Sequence, residues 1–287
     1  MTLVNAAKDY LGSVILKKTA GSGSVTVGTQ FVIPSAMISA NNPVNTSFPA
    51  LINSDSSIRN ATLGKRTPNI TITTMLKASF CSSALFNSLL FTSDANHDTD
   101  TYAVILVDGE GNVRQFLGSK CAGISIACQG IGGPISIQFS FLSQYGDNDG
   151  SAVTYTAATP DPGYLTPVSL VDFNSTADGV TAFSINLLRA QGYVFYLDGT
   201  LFSAYVASGM FSGSLTLSQS PRATTVPTTG CTIKLGTAGS GIQVASALVL
   251  NAFKRDMAAS LGSISNSYSL VDLSTSGTGV PCVITSF

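Results

Sequence analysis

His97 is the only histidine of this 287-residue chain, so any Ser/His/Asp or Cys/His mechanism would have to pass through it. It lies in Asp94-Ala-Asn-His-Asp-Thr-Asp100. Asp94, Asp98 and Asp100 could hold a hard cation, which wants clustered oxygens on flexible backbone, but the same composition also describes an ordinary solvated loop. Asp147-Asn-Asp-Gly150 opens like a calcium loop and then departs from one: the twelfth position counted from Asp147 is Ala158, where an EF-hand needs Glu. Gly236-Thr-Ala-Gly-Ser-Gly241 is Gly-rich, yet it joins two strand-like runs and precedes no helix, so it offers a phosphate no helix N-terminus. Cys81, Cys121, Cys128, Cys231 and Cys282 form no CxxC pair and read as buried free thiols. Paired carboxylates on one strand face, which glycoside hydrolysis requires, are missing, and the chain has no Trp to make a flat sugar platform. No catalytic, cofactor-binding or metal site is therefore assigned, no cofactor is expected, and the chain reads as something other than an enzyme.

If the side chains do little chemistry, the elements that carry them become the question. Charged residues make up 10% of the chain, against roughly 25% in an ordinary soluble protein, and mean hydropathy is +0.33. Ser, Thr, Asn, Gln and 27 glycines fill the polar positions, and such a surface can be covered by a neighbour without the desolvation cost of ions. With a formal net charge of -1 the chain lacks the repulsion that keeps free monomers apart, so ordered self-association is expected. The 14 basic and 15 acidic residues are interspersed, with no basic run longer than Lys17-Lys18 or Lys65-Arg66, which argues against sequence-specific nucleic-acid binding. Met1 to Lys18 lacks the basic-then-apolar layout of a signal peptide, and no apolar run reaches membrane-spanning length.

Leu3, Ala7, Leu11, Val14 and Ile15 recur at helical spacing and predict a short N-terminal amphipathic helix. Strand chemistry begins near Ser24, with Val25, Val27 and Phe31 to Ile33. Residues 34 to 66, rich in Asn, Ser and Pro, predict a long loop, and a loop of that size usually has a task such as reaching a partner. Asn69 to Leu76 alternates as a strand, and Ala84 to Phe91 returns to helical spacing. Ala103 to Val107 and Val113 to Leu117 flank Asp108-Gly109, a hairpin signal, and strands follow at Ala122 to Gln129 and Ile135 to Leu142. Asp147 to Pro167 loses periodicity and predicts a boundary near Ser151. In the second half, Val180 to Leu188, Tyr193 to Leu197, Ser214 to Ser218, Thr232 to Leu235, Ile242 to Leu250 and Ser265 to Val271 read as strands.

The two halves share a rhythm. The stretch from Ala103 matches the stretch from Thr232 as strand, Gly turn, long strand pair, Gly break and final strand; upstream, GKRTPNITITTMLK at Gly64 matches GMFSGSLTLSQSP at Gly209. Agreement in element order with little identity predicts two equivalent β domains in tandem, residues 1–150 (with the N-terminal helix and the loop 34–66) and 151–287.

The run Lys65-Arg66-Thr67-Pro68-Asn69-Ile70-Thr71-Ile72-Thr73, the helix that follows it at Leu85 to Phe91, and the pair Val113 to Cys121 and Ala122 to Cys128 resemble the bacteriophage major tail protein, or tail tube protein, family. The resemblance implies a mainly-β fold of two tandem tail-tube-like β-sandwich or β-barrel domains with short flanking helices. It also implies self-association into rings, trimeric and pseudo-hexameric for a two-domain chain or otherwise hexameric, which stack into a tube. Implied partners are a tape-measure protein, a tail terminator and double-stranded DNA passing without sequence-specific binding; the implied location is the virion tail, assembled in the bacterial host cytoplasm. Many such lumens are acidic, and here Asp108, Glu110 and Asp198 fall in predicted turns. Two other readings share the composition: another self-assembling virion shell protein (capsid or decoration), and a β-sandwich adhesin binding host glycans.

Overall fold

The computed structural model describes residues 13–21, 25–33, 36–41, 44–47, 62–77, 82–90, 99–108, 111–128, 130, 133–146, 151–156, 171–196, 202–236, 241–256, 263–271 and 282–286. The fold is mainly β, with one large antiparallel sheet and, among the described residues, a single short helix. In the first half the strands are β1 (Ser13–Ala20), β2 (Gln30–Ile33), β3 (Met37–Asn41), β4 (Val44–Ser47), β5 (Thr62–Arg66), β6 (Asn69–Met75), β7 (Thr101–Val107), β8 (Val113–Cys128) and β9 (Ser136–Ser143), with helix α1 (Ser83–Leu90) between β6 and β7. The second half supplies β10 (Val171–Asp172), β11 (Val180–Val194), β12 (Tyr205–Gln219), β13 (Gly230–Leu235), β14 (Ile242–Asp256), β15 (Ser263–Val271) and β16 (Cys282–Ser286).

Pairing follows β1-β7-β8-β9-β6-β3 in the first half and β10-β13-β14-β15-β12-β11 in the second. Matched along the chain, β1, β3, β6, β7, β8 and β9 stand in the same sheet order as β10 to β15. Every pair in both halves is antiparallel, so the ladders are built by local hairpins and a few long returns. The halves are joined in one sheet by β8 and β11.

Alternation sets which face is buried. In β6, Ile70, Ile72 and Thr74 point inward while Asn69, Thr71, Thr73 and Met75 are half-buried, and β9 repeats the pattern with Ile137, Phe139, Phe141 and Ser143. These side chains join Leu85, Phe86, Leu89 and Leu90 of α1 and residues of the second half, among them Leu215, Leu217, Ile233, Val244 and Tyr268, in one continuous core. A smaller cluster of Ile15, Ala103, Ile105 and Leu117 lies under Val153 and Tyr155.

Four expectations change. Ser13 to Lys18 is strand β1, not the end of a helix; the rest of the expected helix lies outside the described residues. Val14, Ile15 and Leu16 are all fully buried because β1 is central, between β2 and β7 with both faces covered, and consecutive apolar residues then mimic helical spacing. The stretch 34–66 holds β3, β4 and β5 instead of an unbroken loop. β3 pairs with β6 and β4 with β5, and these ladders stabilise strands that composition alone disfavours. The polar Gly118-Ser-Lys120 does not interrupt β8; Gly118 bends it at φ +64°, and Ser119 and Lys120 are buried, with Ser119 Oγ 2.6 Å from Ser143 Oγ. Finally, residues 151–156 still pack on the first half: Gln115 Nε2 donates to the Val153 carbonyl at 3.1 Å, and the Val153 N–H donates back to Gln115 Oε1 at 2.9 Å. Residues 151–156, just past the expected boundary, thus stay with the first half.

Candidate assembly interface

The likeness of the two halves extends to residue register. Adding 145 to each number carries the β3/β4–β5/β6 hairpin onto β11–β12: Met37↔Thr73 falls on Ala182↔Ser218, Val44↔Arg66 on Arg189↔Phe211, and Thr46↔Leu63 on Gln191↔Ser208. Both hairpins carry a one-residue slip at the same place, between the last two of those pairs. A shift of 129 likewise takes β8 onto β14, where the bulge between Cys121 and Gly123 corresponds to the one between Leu250 and Ala252. Burial follows the register: Ile70, Ile72 and Thr74 match Leu215, Leu217 and Gln219, all buried. A bulge bends a strand and re-aims its pairing, so a bulge repeated in register is a shared structural device.

The bulge lets β8 change partners. Ser119 pairs with both Tyr102 of β7 and Ser143 of β9, which puts those strands on opposite edges. Beyond the bulge, Gly123 to Ala127 pairs with β9 on one edge and Gly123 to Cys128 with Leu188 to Phe183 of β11 on the other, the edge that β7 occupies earlier. Gly123 is required at this crossing, since a Cβ there would stand 3.2 Å from the Leu187 carbonyl oxygen and 2.8 Å from Leu188 Cδ2.

Past the junction, β11 and β12 continue as an arm that lies on the first half. Gln191 Nε2 donates to the Cys121 carbonyl at 2.6 Å, Gln144 Nε2 to the Ala204 carbonyl at 2.7 Å, and the Tyr193 hydroxyl to the Pro68 carbonyl. Lys65 Nζ donates to the Tyr196 carbonyl at 2.8 Å and sits 4.8 Å from the Phe195 ring centroid; Arg66 stands 5.2 Å from that of Phe202. Such cation–aromatic contacts contribute on the order of 0.5–1 kcal/mol each near a surface. Burial of the Tyr193 ring pushes its hydroxyl up to about 12, against the lowering by the Ser143 backbone, so it stays a donor at any physiological pH.

The second half presents the same edge without a partner among the described residues. Ala247 pairs with Gly230 of β13 and Val271 of β15, so these strands flank β14 on opposite sides, and β16 shares β15's edge because it pairs the same residues as β13. Beyond Leu248, whose N–H donates to the Thr229 carbonyl at 3.0 Å, no strand among the described residues pairs the β13-side edge. The exposures show the difference: Cys121 is 0% exposed, whereas Leu250, at the matching position, is 50% exposed and Val249 48%. At the far end of the sheet, β3 pairs with β6 alone among the described residues, and Met37 is 61% exposed. An open strand edge beside apolar side chains is a surface for pairing with another chain.

The polar groups elsewhere are structural. Lys18 Nζ, buried, donates to Asp100 Oδ2 at 2.7 Å and to the Val25 carbonyl at 2.6 Å, tying β1 to the turn before β7. Asp100 is thus held in an ion pair; its loop companions Asp94, His97 and Asp98 lie outside the described residues, as do Asp147 to Gly150. Among the described residues no group of three His, Cys, Asp or Glu could hold a metal ion. Asp108 closes the β7–β8 hairpin, accepting from Asn112 N and Nδ2, each at 2.7 Å, while Glu110 and Asp198 lie outside the described residues. Burial pushes the Cys121 and Cys282 thiols up to about 12 and raises Cys231, which suits inert core thiols rather than nucleophiles. A shallow groove beside Cys231, lined by Thr176, Thr232 and Ser246, brings in no further titratable group. No helix among the described residues is long and apolar enough to cross a membrane.

Sequence reasoning found the rhythm of the halves but missed the open edge, because burial of one β8 segment and exposure of its β14 counterpart are decided by a strand far away in the chain. No family model matches the sequence, and no curated protein matches it.

Proposed function

We propose that this chain is a structural subunit of a phage tail tube, self-associating into rings that stack into a conduit, with a mechanical and not a catalytic role. The observation that carries the reading is the edge of β14, which no strand among the described residues pairs beside half-exposed Val249 and Leu250, where the equivalent strand of the first half is sealed by β11. A charge-poor surface supports it, since covering Ser, Thr and Asn costs less than covering ions. The tube assignment rests on the sequence resemblance set out above. A chain with two equivalent halves joined edge to edge suits a closed ring, because each copy repeats the same junction and closure removes every open edge.

Sedimentation velocity over a concentration series tests the reading. Wild-type protein is expected to form oligomers whose population grows with concentration, and Leu250→Lys to shift that population toward monomer. A wild-type chain that stays monomeric throughout, or a Leu250→Lys variant indistinguishable from wild type, would count against it.

A further inference from the structure

We infer that β3 of a second copy pairs antiparallel along the open edge of β14, in the register that β11 uses on β8. The inference rests on the self-assembly reading and specifies its partner strand and alignment.

Both strands of the inferred junction have counterparts already joined inside the chain. The 145-residue shift makes β3 the equivalent of residues 182–186 in β11, and the 129-residue shift makes the last part of β14 the equivalent of residues 123–128 in β8. Within the chain, Ser184 faces Ala127, Ile185 faces Ile126 and Asn186 faces Ser125. The same offsets put Ser39 of the second copy opposite Asp256, Ala40 opposite Arg255 and Asn41 opposite Lys254. Each edge lacks a partner among the described residues, β14 has the bulge of its counterpart β8, the β4–β5 pair that follows β3 has the bulge of the β11–β12 arm, and each edge has an exposed apolar residue nearby, Met37 and Leu250.

The placement has a second consequence. In the chain, Gln191 of the β11–β12 arm donates to the Cys121 carbonyl. The equivalents are Thr46 in the β4–β5 part of the incoming hairpin and Leu250 on the receiving half. The hairpin of 37–75 would thus lie over Leu250 as the β11–β12 arm lies over Cys121, covering the apolar surface that the single chain leaves open. The junction is head-to-tail, so every copy gives one β3 and receives one, which repeats to closure or to an open filament.

Cysteine cross-linking tests both partner and register. Two double variants, Ala40→Cys/Arg255→Cys and Ser39→Cys/Asp256→Cys, sample one hydrogen-bonded and one non-hydrogen-bonded pair, whose Cα separations of about 5.5 and 4.5 Å both fall in the disulfide range. Mild oxidation should carry most of at least one double variant into a ladder of covalent multimers on a non-reducing gel, while Ala40→Cys alone and the out-of-register Ala40→Cys/Gln243→Cys stay largely monomeric. Far-UV circular dichroism checks that each variant keeps its β content, and the use of two pairs guards against one misfolding. Oligomers in sedimentation without a ladder from either pair would overturn this junction and leave self-assembly standing. Monomers at every concentration would overturn both.

Discussion

Substituting Gly123 by Ala puts a Cβ into the crossing of β8 and β11, 2.8 Å from Leu188 Cδ2 and 3.2 Å from the Leu187 carbonyl oxygen. The leucine terminus can rotate away, but the carbonyl belongs to the ladder and must move with its strand. Overpacking of this kind costs about 1–3 kcal/mol, and the lower entropy of the unfolded Ala chain offsets about 0.4–1 kcal/mol of that. The net expectation is a loss of about 0.5–2 kcal/mol, or a fall in melting temperature of roughly 1–8 °C at 2–4 °C per kcal/mol for a chain of this size class. Gly192 is a matched control in β11: a Cβ there meets nothing within 4 Å, so Gly192→Ala should be neutral or slightly stabilising. Urea and thermal melts followed by far-UV circular dichroism measure both. Equal stability of the two variants would refute the close approach of β11 to Gly123, and with it the template for the inferred contact between copies.

Lys18→Met removes the ammonium that faces buried Asp100 and should cost about 3–5 kcal/mol in urea melts, whereas Lys18→Met/Asp100→Leu should recover most of it. Asp178 accepts from Thr224 Oγ1 at 2.6 Å, Thr225 N at 2.8 Å and Thr224 N at 2.9 Å, and these bonds, the Thr224 hydroxyl foremost, hold its carboxyl below the usual carboxylate range. Its contribution to stability is therefore full above about pH 4, the unfolded carboxylate value, and is lost as pH falls through the lower folded value. Asp178→Asn should melt below wild type at neutral pH, with the gap closing in acid. Cys121 and Cys282, buried and pushed up to about 12, should resist a disulfide-exchange reagent at pH 8 in the native protein and react on unfolding, which mass spectrometry of labelled peptides resolves.

What the sequence disclosed tracks how local the deciding interaction is. Alternation alone identified β6, and Asp108-Gly109 between apolar runs identified the β7–β8 hairpin, because pleat geometry and turn chemistry act over a few residues. The match of Gly64 with Gly209 follows the offset of 145 that the β3–β6 and β11–β12 registers display, whereas β7 maps onto β13 at an offset of 128 when β8 is carried onto β14 by 129, so Ala103 falls on Cys231, one residue from the Thr232 that the sequence match suggested. Where pairing is remote, composition misled: Val14 to Leu16 looked helical because burial between β2 and β7 erases alternation, and β3 to β5 looked like loop because their order comes from ladders, β3 with β6 and β4 with β5. The short strands β10 and β16 went unread for the same reason, since each is defined by the partner it meets in β13 or β14. The candidate interface lay beyond sequence reasoning altogether, because Leu250 and Cys121 occupy matching places in matching strands and differ only in whether another strand arrives.

Self-assembly into a tube is open to direct inspection by electron microscopy of the concentrated, purified chain. Closed rings with an open centre, or tubes of stacked rings, are expected, with class averages that show twice as many β modules as chains. Monodisperse single-chain particles at every concentration, with no ring or tube among them, would contradict it.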